Sequence, residues 1–561
     1  MSALLPYVLC AGALYWISNT YRAFRRNLQQ AKSSGLPHIC LPVNTFSPFW
    51  QVAGPFFIPI CRLLPFGLGA WADDARAAWA LKHELHRKYG RVFMIVSPFL
   101  NVVHVADPDV IMDIVTRKTE FPKPSYFYKI VEVYGKNVVT TDGNEWAKYR
   151  RITGPPFSEN NNRLVWRSAL EQVNEMLHAL ALNLDSSSGD GVFVSSRLQR
   201  DMKTIALHVI ADAGFGVSLP FLAADDVSIP AESWNNEISD FGPSPAKGHR
   251  LTFAQSIHSL LHHLIPVMVI PKVLLRSIPI PGWNSAFCAF SEFRSYTMLL
   301  VKAARESSYT DGKHANLLRA LVSHAAGDHN GPDRLTDSEI LAHMFVYILA
   351  GHETTANALS YAILNLAIND DAQRWFMEQL DMELGKTRSD DPVEWSYDMF
   401  ESSLSAIAVM NETLRLFPTV AGVPKWTDSS SVALHWNGDK YLIPPKTPVV
   451  FNTIAMHRDP DLWGSDVGEF KPQRWCKAQP RKGQFIAFSE GARACLGKKF
   501  AQVEFVAVIS TIFAQFRVEV VRLNDETRAE SIQRVKQVFD SSVVLATLGM
   551  TRELPIRFVP R

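Results

Sequence analysis

Apolar residues recur at helical spacing over most of this chain, and the strict alternation of a half-buried strand is rare. The strongest element starts at Thr336, which with Glu339 forms a capping-box signal, and no proline interrupts from there to about Asn369. At 1.5 Å per residue such a helix is roughly 50 Å long, enough to cross a domain. Its middle, Met344 to Ala350, is apolar on all sides and is predicted to be buried. Helical pattern also covers the stretches around Arg167 to Leu184, Arg197 to Phe215, Ala254 to Leu264 and Ala286 to Arg305. Val92 to Val96 and Val102 to Val105, with Ser97-Pro98 between them, read as a small hairpin. Ser186-Ser187-Ser188-Gly189 and Ala326 to Arg334 read as loops, and Leu219 to Pro281, rich in Pro and aromatics, follows no clear pattern. The expected fold class is mainly α with small β-sheets.

The N-terminus is different in kind. Ala3 to Ile17 carries no charge and is mostly apolar, and counting on to Tyr21 approaches the ~20 residues that span a bilayer. Arg22, Arg25 and Arg26 follow, which predicts an anchor with the rest of the chain on the cytoplasmic side. A cleaved signal peptide carries its basic residues before the apolar run, not after it. Pro37, Pro42, Pro48, Pro55, Pro59 and Pro65 then fall among aromatics, predicting a stiff connector without helix. Phe56, Phe57, Ile58 and Ile60 are apolar enough to dip into a membrane interface, but prolines at this density argue against a second span. Three units are expected: an anchor at 1–21, a basic, Pro-rich connector at 22–70, and a large domain at 71–561.

Composition narrows the class. A chain of 561 residues with 47% hydrophobic and 20% charged residues builds a large core and is not disordered. A net charge of +2 gives no basis for nucleic-acid binding. The six cysteines are scattered, with no CxxC pair, which fits a reduced, cytosol-facing protein better than a disulfide framework.

One of those cysteines carries the chemistry. Cys495 lies in Phe-Ser-Glu-Gly-Ala-Arg-Ala-Cys-Leu-Gly, with Phe488, Gly491, Arg493 and Gly497 around it. The run from Leu496 through Phe500, Val503 and Ala507 repeats at helical spacing, so the thiol sits just ahead of a helix start, where partial positive charge lowers a thiol pKa. A lone cysteine is more often a small buried hydrophobe. Gly491 and Gly497 admit close backbone approach, Arg493 suits a carboxylate, and Phe488 shields sulfur from water. Together these are what one side of a haem iron needs.

This segment resembles the haem-binding loop of the cytochrome P450 family, Phe-x-x-Gly-x-Arg-x-Cys-x-Gly, at every fixed position, and the resemblance extends from about residue 85 to the C-terminus. It implies the cytochrome P450 fold, with a long central helix over haem b and Cys495 as the axial thiolate. Ala350-Gly351-His352-Glu353-Thr354-Thr355 places a Gly and polar side chains in the middle of a buried helix, where Gly costs about 1 kcal/mol against Ala. Taken alone this is as well explained by a polar patch in which Thr bonds the carbonyl one turn back. It also matches the family's oxygen-activation motif. The resemblance then implies that Ala350 and Gly351 leave room over the iron, that Thr354 hydrogen-bonds the activated oxygen, and that Glu353 relays protons.

Three further sets follow from the same resemblance. Glu412 and Arg415 in Asn-Glu-Thr-Leu-Arg share one helical face. With Arg474 in Pro-Gln-Arg-Trp they are implied to form a buried triad behind the thiolate loop, and His457-Arg458-Asp459-Pro460 between them reads as structural. Trp146 and Arg150, four apart, match the helix that reaches the haem propionates. Lys425 stands where the family often has a propionate-binding Arg, a departure that removes the bidentate fork.

No Gly-x-Gly-x-x-Gly run supplies a flavin or nicotinamide site, so electrons are expected from NADPH-cytochrome P450 reductase, with cytochrome b5 as a further partner. Lys148, Arg151, Lys482, Lys498 and Lys499 flank the proposed loop and form a candidate docking patch, scattered surface charge being the alternative. By resemblance the substrate pocket is walled by Phe121 to Val138, Phe345 to Ala350, Val420 to Val423 and the turn near Leu548. These are mostly apolar, implying a lipophilic substrate. The segment from Ser158 to Trp166 is similar to fungal microsomal members that tailor secondary metabolites, which implies an endoplasmic reticulum membrane location. The expected reaction is hydroxylation or epoxidation with O2. A haem-thiolate isomerase or dehydratase that does not use O2 is the alternative, and a haem-carrying sensor is a third reading.

Overall fold

The long helix forms as its sequence signals require. It runs Asp337–Ile368 in the computed structural model, which describes residues 5–45, 47–63, 74–76, 78–182, 191–221, 241–242, 244–306, 316–326, 334–385, 391–477, 479–544 and 546–561. The Thr336 hydroxyl accepts from the Glu339 N–H while the Glu339 carboxylate accepts from the Thr336 N–H, a reciprocal capping box. A helix apolar on every side has to be surrounded. This one packs most extensively against Leu198–Ile210, and also against Leu404–Leu416 and Lys498–Gln515. One apolar core unites these helices with Glu159–Leu182 and Pro281–Glu306.

Differences from expectation have local causes. The helix predicted near Arg167 begins at Glu159, because Asn161 and Asn162 of its polar start are buried against the core and not left as a loop. Asn161 donates its Nδ2 to the Ala213 carbonyl at 2.8 Å. That carbonyl belongs to a π-helical turn, Ala211–Phe215, which ends Leu198–Ile210 and stops at Gly216 (φ 76°). In the unassigned stretch after Leu219, the described part holds helices Phe253–His262, Leu264–Val269 and Lys272–Ser277. The loops expected at 186–189 and 327–333 lie outside the described residues.

The predicted hairpin is present, Val92–Val96 pairing antiparallel with Asn101–Val105 in the register Val92 to Val105. It is the centre of a five-stranded sheet ordered His38–Cys40, Val92–Val96, Asn101–Val105, Pro448–Asn452, Gly422–Trp426. A three-stranded sheet and two strand pairs complete the β-structure among the described residues.

The N-terminal expectations need correcting. Leu5–Ser34 is one unbroken helix, but among the described residues no helix is long and apolar enough to cross a membrane. Ser18-Asn19-Thr20 ends the apolar run before Arg22, short of a span. The second half of this helix docks on the domain: Ala31 is buried, Asn27 donates to the Ser97 carbonyl at 2.8 Å, and Asn101 donates back to the Asn27 carbonyl at 2.9 Å. The Pro-rich connector is also not free of helix, since Pro48–Leu63 is helical. Pro48 opens that helix, where a missing N–H costs nothing, and Pro59 lacks the N–H that would have reached Pro55, so the losses fall on one side.

Candidate active site

A cavity of about 350 Å³ brings most of the sequence-predicted residues together. The cysteine loop contributes Phe488, Arg493, Cys495 and Gly497, the long helix Val346, Tyr347, Ala350, Gly351 and Thr354, and the helix Gly143–Thr153 Trp146 and Arg150. Lys123, Val138, Thr419, Val420 and Val423 close the remaining wall. Glu353, Gly491 and Lys425 are not among the lining residues, nor are Phe345 and Leu548. The Leu548 N–H bonds the Thr419 carbonyl at 2.9 Å, one layer behind the wall.

The loop is folded around the thiol. The Cys495 N–H donates to the Phe488 carbonyl at 2.9 Å, and Gly497 is the N-cap of Lys498–Gln515. Gly491 has φ 70°, and a Cβ there would lie 2.3 Å from Val115 Cγ1, so no other residue fits without rearrangement. The sulfur opens into the cavity while protein encloses its other sides. Burial pushes the thiol pKa up, against the Gly497 N–H and the Arg150 and Lys498 charges, which pull it down. The lowered pKa expected from the helix start is therefore outweighed, and a metal ion bound here would hold the sulfur as thiolate.

Cations crowd one edge of the cavity. The Arg493 guanidinium stacks on Trp146 (4.2 Å), pairs with Asp142, and donates to the Thr141 carbonyl at 3.3 Å. Arg150 ties its helix to the cysteine loop by donating to the Ala494 carbonyl at 2.9 Å. Lys425 lies buried behind this edge, its pKa lowered to about 8 by burial first and then by Arg493, with Asp142 opposing. Lys123, which no motif signalled, donates to the Val139 carbonyl and sits 3.5 Å over the Tyr128 ring. Burial, then Arg493 and Lys425, lower its pKa to about 7. A thiol facing apolar walls, with an excess of cations at one edge, fits an iron macrocycle that carries two carboxylates.

In the long helix, Thr354 donates its hydroxyl to the Ala350 carbonyl at 2.7 Å, the back-bond weighed from sequence. A Cβ on Gly351 would lie 2.7 Å from Ile210 Cδ1, so the missing side chain is what lets Leu198–Ile210 pack so closely here. Two residues that sequence reading missed fix this helix relative to the other walls. The Tyr149 hydroxyl donates to Glu339 Oε1 at 2.7 Å, and His343 donates from Nδ1 to the Glu339 carbonyl at 2.6 Å while its Nε2 accepts from the Val138 N–H at 3.1 Å. Burial holds the His343 pKa down to about 4, which keeps that acceptor free. His343 stands at helical spacing from the Thr336 cap, while Tyr149, on the helix Gly143–Thr153, carries no local signal of this contact.

Behind the loop, Glu412 and Arg415 are fully buried and joined by two bonds, Nε to Oε2 at 2.8 Å and a terminal nitrogen to Oε1 at 2.9 Å. Arg474 Nε reaches Glu412 Oε1 at 2.9 Å, and Trp475 Nε1 reaches Oε2 at 3.0 Å. Arg415 also donates to the carbonyls of His457 (3.0 Å), Val467 (2.8 Å) and Glu469 (3.1 Å), fastening the Val467–Glu469 stretch to Leu404–Leu416. Of the candidate docking cations, Lys148 pairs with Glu339 (3.7 Å) and Lys499 with Glu159 (2.6 Å), while Lys482 and Lys498 are exposed.

Comparisons with known proteins agree with this geometry. The cytochrome P450 family model matches residues 59–537. A cytochrome P450 monooxygenase of Arthrobotrys oligospora is 27% identical, with 95% of each chain aligned. Cytochrome P450 monooxygenase 124 of Postia placenta is 31% identical over 76% of this chain and 77% of its own. A crystal structure of a cytochrome P450, CYP102L1, superposes with a TM-score of 0.63 at 20% identity, covering 85% of this chain and 93% of that one, which speaks to the fold. A family whose members hold a haem-thiolate iron and take electrons from a redox partner is thus reached both from the cavity and from the relatives, and the chain belongs to the cytochrome P450 monooxygenases.

Proposed function

We propose that the Cys495 thiolate would hold the iron of haem b, and that the protein hydroxylates or epoxidises a lipophilic small molecule with O2 and electrons delivered from NADPH by cytochrome P450 reductase. The observation that carries this reading is that one cavity is walled at once by the Cys495 thiol, the Ala350-Gly351 notch with Thr354, and a cluster of cations. Bound there, the haem supplies the redox chemistry that activates dioxygen.

The chain's own residues do the rest. The Gly497 N–H bonds the sulfur and, with Arg150 and Lys498, favours its charged form. Arg493 and Arg150, with Lys123 and Lys425 behind them, hold the two carboxylates, and Trp146 fixes the plane of Arg493. Ala350 and Gly351 keep space clear, while Val138, Val346, Val420 and Val423 exclude water and select an apolar substrate. Thr354 holds a hydroxyl proton on the Ala350 carbonyl, and turning it toward the cavity lets it hand that proton on. Glu353, the adjacent carboxylate, is partly exposed and replaces the proton from solvent. The Glu412, Arg415 and Arg474 triad holds the fold that carries the loop.

Residues 71–561 are proposed as the catalytic domain, with the N-terminal segments serving attachment to the endoplasmic reticulum membrane. A relative from Leptosphaeria maculans named as a phomenoic acid biosynthesis cluster cytochrome P450 monooxygenase supports a role in secondary-metabolite biosynthesis, and cytochrome b5 is proposed as a second electron donor. Carbon monoxide added to the reduced, haem-loaded protein tests the core of this reading: a Soret band typical of a thiolate adduct is expected, and its absence overturns it. Product formation that depends on O2, NADPH and reductase separates monooxygenation from an isomerase reaction.

A further inference from the structure

Lys123 and Lys425 come from distant parts of the chain, one from the loop ahead of the short helix Ser125–Tyr128, the other from the edge strand Gly422–Trp426. The charged and titratable groups around them are Arg493, Asp142 and Tyr128, with Arg150 also at this edge of the cavity. Asp142 is the one carboxylate named among these neighbours, and Arg493 already engages it. Lys123 is left with the Val139 carbonyl and a ring face. Enclosed cations in excess of anions repel one another, and of these residues only the lysines can relieve that by releasing a proton, since an arginine stays charged. Their depressed values, about 7 for Lys123 and about 8 for Lys425, agree. Tyr128 is pushed up to about 12 by burial and does not titrate in that range.

We infer that haem uptake by this pocket is proton-coupled, Lys123 and Lys425 each taking a proton from solvent to become ammonium groups as the cofactor's two carboxylates enter. The inference rests on the haem-thiolate reading and goes beyond it, because it turns on lysine at position 425 where the family often has an arginine. Above about pH 8 the balance approaches one proton per lysine, below about pH 7 it approaches none, and no electrons move. The sign follows from linkage: carboxylates beside a lysine raise its pKa, so their contribution to haem retention is complete below about pH 7, starts to fall as pH rises past about 7 for Lys123 and about 8 for Lys425, and is gone only above the raised values of the haem-bound lysines. Each titrating lysine weakens retention by up to about tenfold per pH unit in that range.

The test is partition of haem between the holoenzyme and excess apomyoglobin, followed spectroscopically from about pH 6.5 to 9.5, the span that brackets both lysines, with far-UV circular dichroism checking that the protein stays folded. Retention is expected to fall steeply across the upper part of that range. Lys425→Arg, which installs a fixed charge, is expected to make the fall shallower by one lysine's share, and Lys123→Gln to lower retention at neutral pH while removing the other share. Flat retention in the unmodified protein, or a Lys425→Arg variant with an unchanged slope, overturns the inference. Failure of the haem-thiolate reading looks different, since the carbon monoxide adduct would then lack its thiolate band at every pH.

Discussion

Two clusters of buried charge, one around Glu412 and one around Arg493 of the cysteine loop, are built on different terms. Around Glu412, one carboxylate meets two guanidiniums, an indole N–H and a backbone N–H, while backbone carbonyls take up further Arg415 donors. Around Arg493, several cations face one carboxylate, and Lys123 has to settle for a carbonyl. The first cluster is complete within the chain, so its role is to hold the fold. The second is incomplete, so what completes it has to come from outside. A buried charge network is read best by asking what it lacks.

Breaking the complete cluster carries the largest effect. Glu412→Ala removes the carboxylate that two guanidiniums and an indole N–H share, leaving Arg415 with backbone carbonyls only, and is expected to cost about 3–5 kcal/mol, with loss of haem incorporation. Denaturant unfolding and the haem-to-protein absorbance ratio measure both. A loss below ~1 kcal/mol with normal haem content would mean that the network is not what holds the loop. Next is Gly491→Ala, which puts an L side chain at φ 70° and into Val115. A cost of roughly 1–3 kcal/mol is expected, read as a lower thermal midpoint and faster haem loss. An unchanged midpoint would show that the loop adapts.

The incomplete cluster is expected to respond more gently. Asp142 accepts from the N–H groups of Gly143 and Lys123, at 2.8 and 2.7 Å, besides pairing with Arg493. Asp142→Ala removes an N-cap and the pocket's carboxylate together, and about 1 kcal/mol of stability is expected to go. With that carboxylate gone, the two lysines deprotonate more readily, so haem retention is expected to become more sensitive to alkaline pH. Scavenger partition at two pH values reads this, and an unchanged pH response would separate Asp142 from the lysines.

How much of this was legible depends on whether the determinants are local. The capping box at Thr336, the cysteine loop and the Glu412 to Arg415 spacing are each contained in a few consecutive residues, and the sequence exposes them. Lys123 and Lys425 meet only because the sheet and the loop before Ser125–Tyr128 bring them to one edge, and a lone Lys carries no pattern. Ile210 fills the notch of Gly351 from another helix, so the glycine was visible and its reason was not. In Pro48–Leu63 the number of prolines signals a broken helix, whereas their position, at the start of a helix and four apart on it, is what matters. At the N-terminus the uncharged apolar run signals an anchor, and the polar residues that end it leave it short of a span.

The smallest expected effect on stability is the most informative about chemistry. Thr354 makes no tertiary hydrogen bond among the described residues; its hydroxyl bonds the carbonyls of Ala350 at 2.7 Å and Gly351 at 3.4 Å within its own helix. Removing it leaves helical backbone carbonyls that are already paired, and alanine is the better helix former by about 0.5 kcal/mol. Thr354→Ala is therefore expected to fold and bind haem as well as the unmodified protein, or marginally better. If the hydroxyl is instead kept for handing on a proton, product formed per NADPH consumed should drop several-fold while haem content and substrate-induced spectral shifts stay the same. Thr354→Ser, which restores the hydroxyl, should recover most of the coupling. Equal coupling in all three proteins would leave Thr354 as helix packing only, and would move it to the side of the complete, structural cluster.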